Sequence, residues 1–288
     1  MPVLTFKKTS LTKGWFLIKA LRIPEWRAYI GLSIYGVALS SGNLFSFISN
    51  VLRLLPLMFI YVSTAYLANN IYDAKGDYFN QRKRERNPIS VGCLSPREAT
   101  IVLVILIALG LTSIIFLNFL QFTVYIVGLF LALAYSVPPL RLKEKPPLDL
   151  ISHAFFFGII PFLTGFLMNF TVSYPDPMLL ASIAVYSMFL ELRNEVEDFH
   201  PDREAGYNTT ATCIGYRNSI RSLSFLSMIF IVASYVIAWS RETYVFSAIT
   251  AFTLASNLIP LRHETKMRIM DAYAVTFYLL ILLADILR

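Results

Sequence analysis

Two stretches of this chain carry the same pattern of amide and carboxylate side chains. The first reads Asn69-Asn70-Ile71-Tyr72-Asp73-Ala74-Lys75-Gly76-Asp77, and the second Asn194-Glu195-Val196-Glu197-Asp198-Phe199-His200-Pro201-Asp202. Both are N-x-x-x-D-x-x-x-D. One common offset relates Asn69 to Asn194, Asp73 to Asp198 and Asp77 to Asp202. The match has the form of an internal duplication whose two halves meet at one site. A spacing of four places side chains on one helix face, one turn apart. Each stretch is therefore expected to present a column of oxygen ligands at a helix end. The alternative is that Gly76 and Pro201 bend the last turn, with Asp77 and Asp202 then on the loop instead.

Stacked carboxylates repel one another, and near a low-dielectric bilayer that repulsion costs free energy. A cation should compensate. Hard oxygen ligands without His or Cys suit Mg²⁺, which is held by one or two carboxylates with phosphate oxygens and water completing the octahedron. A lone D-x-x-x-D is most often a solvated helix end, but two copies at matched helix ends argue for a site. Four aspartates, two Mg²⁺ and a diphosphate still sum to a negative charge, so basic residues should close the site. The same loops supply them: Arg82, Lys83, Arg84 and Arg86 after the first cluster, Arg203 after the second, Arg141, Lys143 and Lys145 between them, and Arg22 upstream.

The elements that must position these residues are membrane helices. The chain has 288 residues, of which 56% are hydrophobic and only 15% charged. Soluble domains carry about 25% charged residues. The mean hydropathy is +0.60. These values exclude a disordered chain, a nucleic-acid-binding tail and an ordinary cytosolic enzyme. A span takes roughly 20 apolar residues. Nine candidates fit, at about 28–48, 51–71, 99–117, 119–137, 150–170, 177–194, 219–239, 244–260 and 269–287. No cleavable leader is evident in residues 1–27. The expected fold class is an all-α membrane protein of nine transmembrane helices with two similar Asp-rich halves, one domain over residues 1–288. Cys93 and Cys213 have no ligand-spaced partners and are expected to be free thiols.

The net charge of +7 reflects topology rather than nucleic acid. On the nine-helix scheme all of the 25 Lys and Arg except Arg53, Arg241 and Arg288 fall on one side. Lys7, Lys8 and Arg262 are among those that follow this pattern. The excess of Lys and Arg in cytoplasmic loops then places the N-terminus and the Asp-bearing loops in the cytoplasm and the C-terminus outside. The expected location is the cell membrane, multi-pass.

At the two Asp clusters the sequence resembles the UbiA-type intramembrane prenyltransferases, which carry N-D-x-x-D-x-x-x-D after the second helix and D-x-x-x-D after the sixth. Here the first motif is Asn69-Asn70-x-x-Asp73-x-x-x-Asp77, with Asn70 where the family usually has Asp. The tail Arg86-Asn87-Pro88-Ile89-Ser90-Val91-Gly92 is similar to the family's R-P-[IL]-x-S-G. The run Asp198-x-x-x-Asp202-x-x-x-Gly206-x-x-Thr209-Thr210 matches the second motif. Tyr135-Ser136-Val137-Pro138-Pro139-Leu140-Arg141-Leu142-Lys143 looks like the Y-S-x-P-P-x-[KR]-x-K stretch of some branches.

The resemblance implies nine helices around a central cavity. It also implies Mg²⁺-dependent transfer of a polyprenyl group from its allylic diphosphate to a lipophilic acceptor, a lipid or quinone precursor. Asn69, Asp73, Asp77, Asp198 and Asp202 then hold the magnesium–diphosphate, with Asn194 as the counterpart of Asn69. Arg22, Arg86, Arg141 and Lys143 neutralise diphosphate, and Tyr135 faces the allylic carbon. The choice between Asn69 and Asn70 as ligand stays open. Phe155-Phe156-Phe157 reads first as plain packing and second as a cavity wall. A membrane transporter or cation carrier is the alternative, since intramembrane acids and repeats occur there as well. Transporter sites lie near the midplane, whereas these clusters lie at helix ends. A CDP-alcohol phosphotransferase expects one dense aspartate run and fits poorly.

Overall fold

The computed structural model describes residues 10–169, 174–244, 246–258 and 263–286. Lys7, Lys8, Arg262 and Arg288 lie outside them, as do the ends of the spans expected at 150–170, 244–260 and 269–287. The chain begins with α1 (Ser10–Ala20) and a 3₁₀ turn at Ile23–Glu25, followed by α2 (Arg27–Ser40) and α3 (Leu44–Asp77). The sequence reading ended the first span at residue 48 and began the second at 51. The break lies earlier because the Asn43 side chain accepts the Ser46 N–H at 2.8 Å and caps α3. The helix that results has 34 residues and absorbs Pro56.

Next come α4 (Gln81–Arg86), α5 (Pro96–Thr112) and α6 (Phe119–Ser136). α5 and α6 each start in a capping box, Ser95 with Glu98 and Asn118 with Gln121. α7 (Leu148–His153), a π-helical turn at Ala154–Ile159 and α8 (Ile160–Phe166) form one continuous run. The second half contains α9 (Pro177–Glu197), α10 (Phe199–Glu204), α11 (Thr210–Ile214), α12 (Tyr216–Ser240), α13 (Phe246–Leu258) and α14 (His263–Ile286). Among the described residues there is no strand.

Within the described residues each of the nine expected spans overlaps helix, and the first, 28–48, runs across the break between α2 and α3. Six runs are long and apolar enough to cross a membrane: Leu44–Asp77, Pro96–Ile115, Phe119–Ser136, Leu148–Phe166, Tyr216–Ser240 and Glu264–Ile286. The other three fall short of that standard. α2 has 14 residues and the described α13 has 13. α9 has 21, but its last turns carry Glu191, Arg193, Glu195 and Glu197. Among the described residues the architecture is thus all-helical with six membrane-length helices.

Packing among the described residues divides into four apolar clusters that share helices, the smallest being Ala65, Ala132 and Phe156. One joins α9, α12 and α14 through Phe189, Phe230, Tyr273 and Phe277. A second joins α2, α3 and α6 through Val37, Tyr61, Tyr125 and Leu129. A third joins α1, α3 and α5 through Ala20, Leu67, Leu103 and Leu106. Large apolar side chains also point outward, with Phe45 84% and Phe119 85% exposed. Outward apolar surface on this scale suits lipid and not water.

α2 and α8 approach closely enough to exclude side chains. A Cβ at Gly165 would stand 1.8 Å from the Ser33 carbonyl oxygen, and one at Gly36 would stand 2.2 Å from the Phe162 carbonyl oxygen. Backbone cannot step aside as a rotamer can. Gly165→Ala is expected to lower stability by about 1–3 kcal/mol, as overpacking does. Gly31→Ala, on the same α2 with nothing near its Cβ position, should leave stability unchanged or slightly raised. Thermal melting in detergent checks both, and equal midpoints for the two variants would contradict the close approach.

Candidate active site

One cavity of about 270 Å³ takes in both aspartate clusters. Its first wall is the last turns of α3. Asn69, Asp73 and Asp77 sit there on one face, as the spacing required, and all three line the cavity. Asp73 is 7% exposed and Asp77 4%. The facing wall is built differently. Asn194 lies in α9, Asp198 is the junction residue, and Asp202 lies in the short α10. The column is therefore kinked at Asp198 rather than straight. Hydrogen bonds from Asp198 N to the Asn194 carbonyl and from Asp202 N to the Asp198 carbonyl, both 2.9 Å, carry the i→i−4 pattern across the kink. The expectation of two alike helical columns is corrected there, although all three residues still reach the cavity.

Cations tie the two walls together. Lys83, on α4, places Nζ 3.1 Å from Asp198 Oδ2 and 2.9 Å from Asp202 Oδ1. Lys143 pairs with Asp73 Oδ2, and Arg141 Nη2 stands 3.3 Å from Asp73 Oδ1. Arg22 Nη2 is 3.9 Å from Asp77 Oδ2. Burial alone would lower the Lys83 ammonium, but Asp202 and Asp198 outweigh it and push its pKa up. Burial pushes the Asp202 carboxyl up, and the Lys83 charge opposes without cancelling it. Two of these arginines sit in strained backbone: Arg22 has φ 53° and Arg141 φ 41°. Left-handed residues other than Gly cost about 1–2 kcal/mol and concentrate at functional sites.

Amides and small residues refine the geometry. Asn69 Nδ2 donates to Asp73 Oδ2 at 2.7 Å. Asn70 turns away: its Nδ2 donates to the Ala20 carbonyl and its Oδ1 accepts from Arg22 Nη2, both at 2.6 Å. Asn70 thus orients Arg22, and Asn69 is the amide that faces the cavity. Asn87 Nδ2 donates to Asp77 Oδ2 at 2.9 Å. A Cβ at Gly76 would overlap the Tyr207 hydroxyl at 1.6 Å, so this glycine admits the loop after α10 against α3. Burial pushes the Tyr207 hydroxyl up to about 12.

Away from the helix ends, the cavity turns aromatic. Tyr29, Tyr66, Tyr135, Phe156 and Phe157 line it. Tyr29 and Phe157 stack at 4.0 Å, and Tyr135 meets Phe156 at 4.8 Å. The π-helical turn presents Phe156 and Phe157 inward and leaves the Phe156 carbonyl to accept the Tyr61 hydroxyl at 2.6 Å. Two residues of the Phe155-Phe156-Phe157 triplet are therefore cavity wall, and only Phe155, 44% exposed, faces outward.

The chain matches the model of the UbiA prenyltransferase family over residues 29–281. The chain belongs to this family. A probable homogentisate phytyltransferase 2 of the chloroplast from Oryza sativa subsp. japonica is 32% identical over 186 residues, which is 59% of this chain and 45% of that protein. This chain thus spans less than half of the rice protein's length. A lycopene elongase/hydratase from Haloarcula japonica is 31% identical over 216 residues, 71% of this chain and 68% of that protein. The solved structure of a UbiA homolog from Archaeoglobus fulgidus bound to GPP and Mg²⁺ superposes with a TM-score of 0.71 at 20% identity, covering 94% of this chain and 98% of that one. The same homolog bound to DMAPP and Mg²⁺ gives 0.70 at 19% identity.

Within this UbiA-family chain, Arg22, Asn69, Asp73, Asp77, Arg86, Tyr135, Lys143, Asn194, Asp198 and Asp202 all line the one cavity. Arg141 does not line it and reaches it through Asp73. Arg86 is held at the rim by Glu25, 3.4 Å away. The sequence reading missed Glu25, His153, Glu191, Glu195 and Tyr207, which also line it. It placed Lys83 among the charge-supplying residues without singling it out. Lys83 is the one basic side chain of its run that bridges both second-cluster aspartates. Both cysteines are free, as expected.

The Lys83 bridge yields a prediction. Lys83→Met strands two part-buried carboxylates and should lower the thermal midpoint. Lys83→Met combined with Asp202→Asn should lower it by less than the sum of the single changes. The expected coupling is about 1–3 kcal/mol, as for residues sharing one network. Additive midpoints in a double-mutant cycle would show that α4 and α10 are not joined by this pair.

Proposed function

We propose that the chain catalyses Mg²⁺-dependent transfer of a polyprenyl group from an allylic polyprenyl diphosphate to a lipophilic acceptor, a lipid or quinone precursor. The observation that carries this reading is the meeting of Asp73, Asp77, Asp198 and Asp202 in one cavity whose inner end is aromatic. A polar, doubly acidic mouth above an aromatic pocket matches a donor with a diphosphate head and an apolar tail. Relatives bear on the choice: the rice protein is named for phytyl transfer to homogentisate, and the archaeal structures hold GPP or DMAPP with Mg²⁺.

The donor set fits Mg²⁺. Asn69, Asp73, Asp77, Asp198 and Asp202 offer hard oxygens around one cavity, although among the described residues no three His, Cys, Asp or Glu are grouped closely enough to hold a metal ion by themselves. An incomplete protein shell is what Mg²⁺ takes when phosphate oxygens and water finish its octahedron. Bound there, Mg²⁺ would supply positive charge to the departing diphosphate. Lys83, Lys143 and Arg22 add fixed positive charge at the same mouth, which is electrostatic stabilisation of the leaving group. The faces of Tyr29, Tyr66, Tyr135 and Phe157 meet the allylic fragment as it becomes cationic, each contributing about 0.5–2 kcal/mol. Each tail CH₂ placed in lipid or apolar wall adds about 0.8 kcal/mol. The loops after α3 and after α9, joined through Lys83, exclude water that would otherwise capture the cation. The charge distribution supports a cytoplasmic mouth. A transporter would want its acids near the midplane, whereas these lie at the ends of α3 and α9.

Asp73→Ala and Asp198→Ala should each reduce prenyl transfer by at least about a hundredfold while the protein elutes as a folded species. Normal turnover by either purified variant would sink the site assignment. Geranylgeranyl diphosphate at 100 times its Kd should raise stability by about 2.7 kcal/mol with Mg²⁺ and by much less in EDTA. An equal shift in EDTA would refute the metal bridge, and no shift in either would favour the carrier reading, to be followed by a flux assay.

A further inference from the structure

Below the aspartates, the cavity carries acidic side chains that the diphosphate does not call for. Glu191 and Glu195 lie about two turns and one turn before Asp198, and both line the cavity. Glu191 is 9% exposed and Glu195 5%. The Tyr135 hydroxyl donates to Glu191 Oε1. His153 Nε2 stands 3.3 Å from Glu191 Oε2, and Asn194 Nδ2 donates to the same oxygen at 3.5 Å. The other His153 nitrogen, Nδ1, is fixed by Ser187, 2.9 Å from its Oγ and 3.1 Å from its carbonyl. Glu195 Oε2 accepts the Ala211 N–H at 2.8 Å, but its buried Oε1 has no hydrogen-bond partner. Among the described residues no Lys or Arg forms an ion pair with either glutamate. The cations of the mouth are engaged with the aspartates instead.

Two consequences follow from this arrangement. A negatively charged acceptor entering the floor meets the Glu191 carboxylate with no Lys or Arg paired to it, and like charges in a desolvated pocket repel strongly. An uncharged acceptor meets apolar rings and a carboxylate oriented by three neighbours. We infer that the cavity floor is the subsite for an uncharged, unsaturated acceptor, a polyene or a phenol without an acid group, and that Glu191 takes the proton this acceptor gives up. The inference rests on the donor reading above.

The step balances. The allylic C–O bond breaks and its electron pair leaves on the diphosphate. A π pair of the acceptor forms the new C–C bond. The C–H pair at that carbon returns to the acceptor as the proton passes to a Glu191 oxygen. Tyr135 and His153 are positioning residues here, because they hold the carboxylate towards the space between the donor's first carbon and the floor. Burial and the neighbouring Glu191 and Asp149 push the Glu195 carboxyl well above the usual carboxylate range, so it stays uncharged at neutral pH and leaves Glu191 as the charged group of the floor.

The test uses the full purified chain with geranylgeranyl diphosphate and Mg²⁺. Three acceptor probes are offered: squalene as an uncharged polyene, 4-hydroxyphenylacetate, and the methyl ester of that acid. Prenylated product is expected from squalene or the ester and not from the acid. Glu191→Gln should cut that transfer by about a hundredfold or more while leaving the donor's Mg²⁺-dependent affinity unchanged, and Glu191→Asp should restore part of it. Glu191→Asp keeps the carboxylate and serves if Glu191→Gln does not fold, in which case a slowed transfer at unchanged donor affinity is the expected result. Prenylation of the acid as fast as its ester would overturn the inference. Full transfer by Glu191→Gln would do so as well, and so would product from none of the probes while the donor binds. Loss of Mg²⁺-dependent donor binding in the wild-type chain would count against the donor reading instead.

Discussion

Negative charge at the wrong end of a helix is the constraint that organises this molecule. Asp73 and Asp77 end α3, and Asp198 ends α9. Aligned peptide dipoles already leave about half a negative charge at a helix C-terminus. Carboxylates there are disfavoured twice, by the dipole and by one another. The surrounding loops read as the response. α4 delivers Lys83, the 3₁₀ turn at Ile23–Glu25 delivers Arg22 at its start, and the 3₁₀ turn at Leu142–Glu144 delivers Lys143, with Arg141 as its N-cap. Two of these cations accept a left-handed backbone to arrive. On the proposed function, Mg²⁺ and diphosphate together would relieve this tension.

How much of this could be read beforehand depended on whether the information was local. The four-residue spacing of Asn69, Asp73 and Asp77 is a property of one helix, and it held. The second copy kinks at Asp198, because a helix that must turn into α10 within four residues is governed by packing and not by spacing. Asn69 and Asn70 are adjacent and chemically identical, so only the neighbouring Ala20 carbonyl and Arg22 guanidinium distinguish them. The Lys83 bridge joins residues more than a hundred positions apart, and no local pattern marks it. Glu191 is visible in the sequence as an ionisable residue in an apolar run, which in a membrane helix marks a functional group, but nothing local distinguishes it from the aspartate motif that follows. The early start of α3 was legible too, in Asn43 as a capping residue after Gly42, had the cap been weighed above the apolar run.

Chemistry changes along the cavity in a fixed order. Ion pairs occupy the mouth, a Tyr–Glu–His set lies below it, and Phe156 with Ala65 and Ala132 closes the floor. Each layer comes from different helices at the same height, so the order depends on registration of α3, α6, α7 and α9 rather than on any one of them. The glycines explain how that registration is held. Gly36 and Gly165 lock α2 to α8, and Gly76 locks the loop after α10 to α3. At Gly36 and Gly165 nothing can shift without moving a backbone, whereas Gly76 faces the Tyr207 ring.

The length of α3 has a consequence of its own. Thirty-four residues at about 1.5 Å each make a rod of about 51 Å, against a hydrocarbon layer of about 30 Å. Even with tilt, such a rod overshoots the oil and stands in the headgroup zone. Asp73 and Asp77 ride on its tip. The helix therefore works as a boom that holds the charged end of the site out among the lipid phosphates while its root stays anchored in the acyl chains. On the proposed function, a prenyl diphosphate that floats in the leaflet with its head at the same height would meet this tip by lateral diffusion in two dimensions, without leaving the membrane.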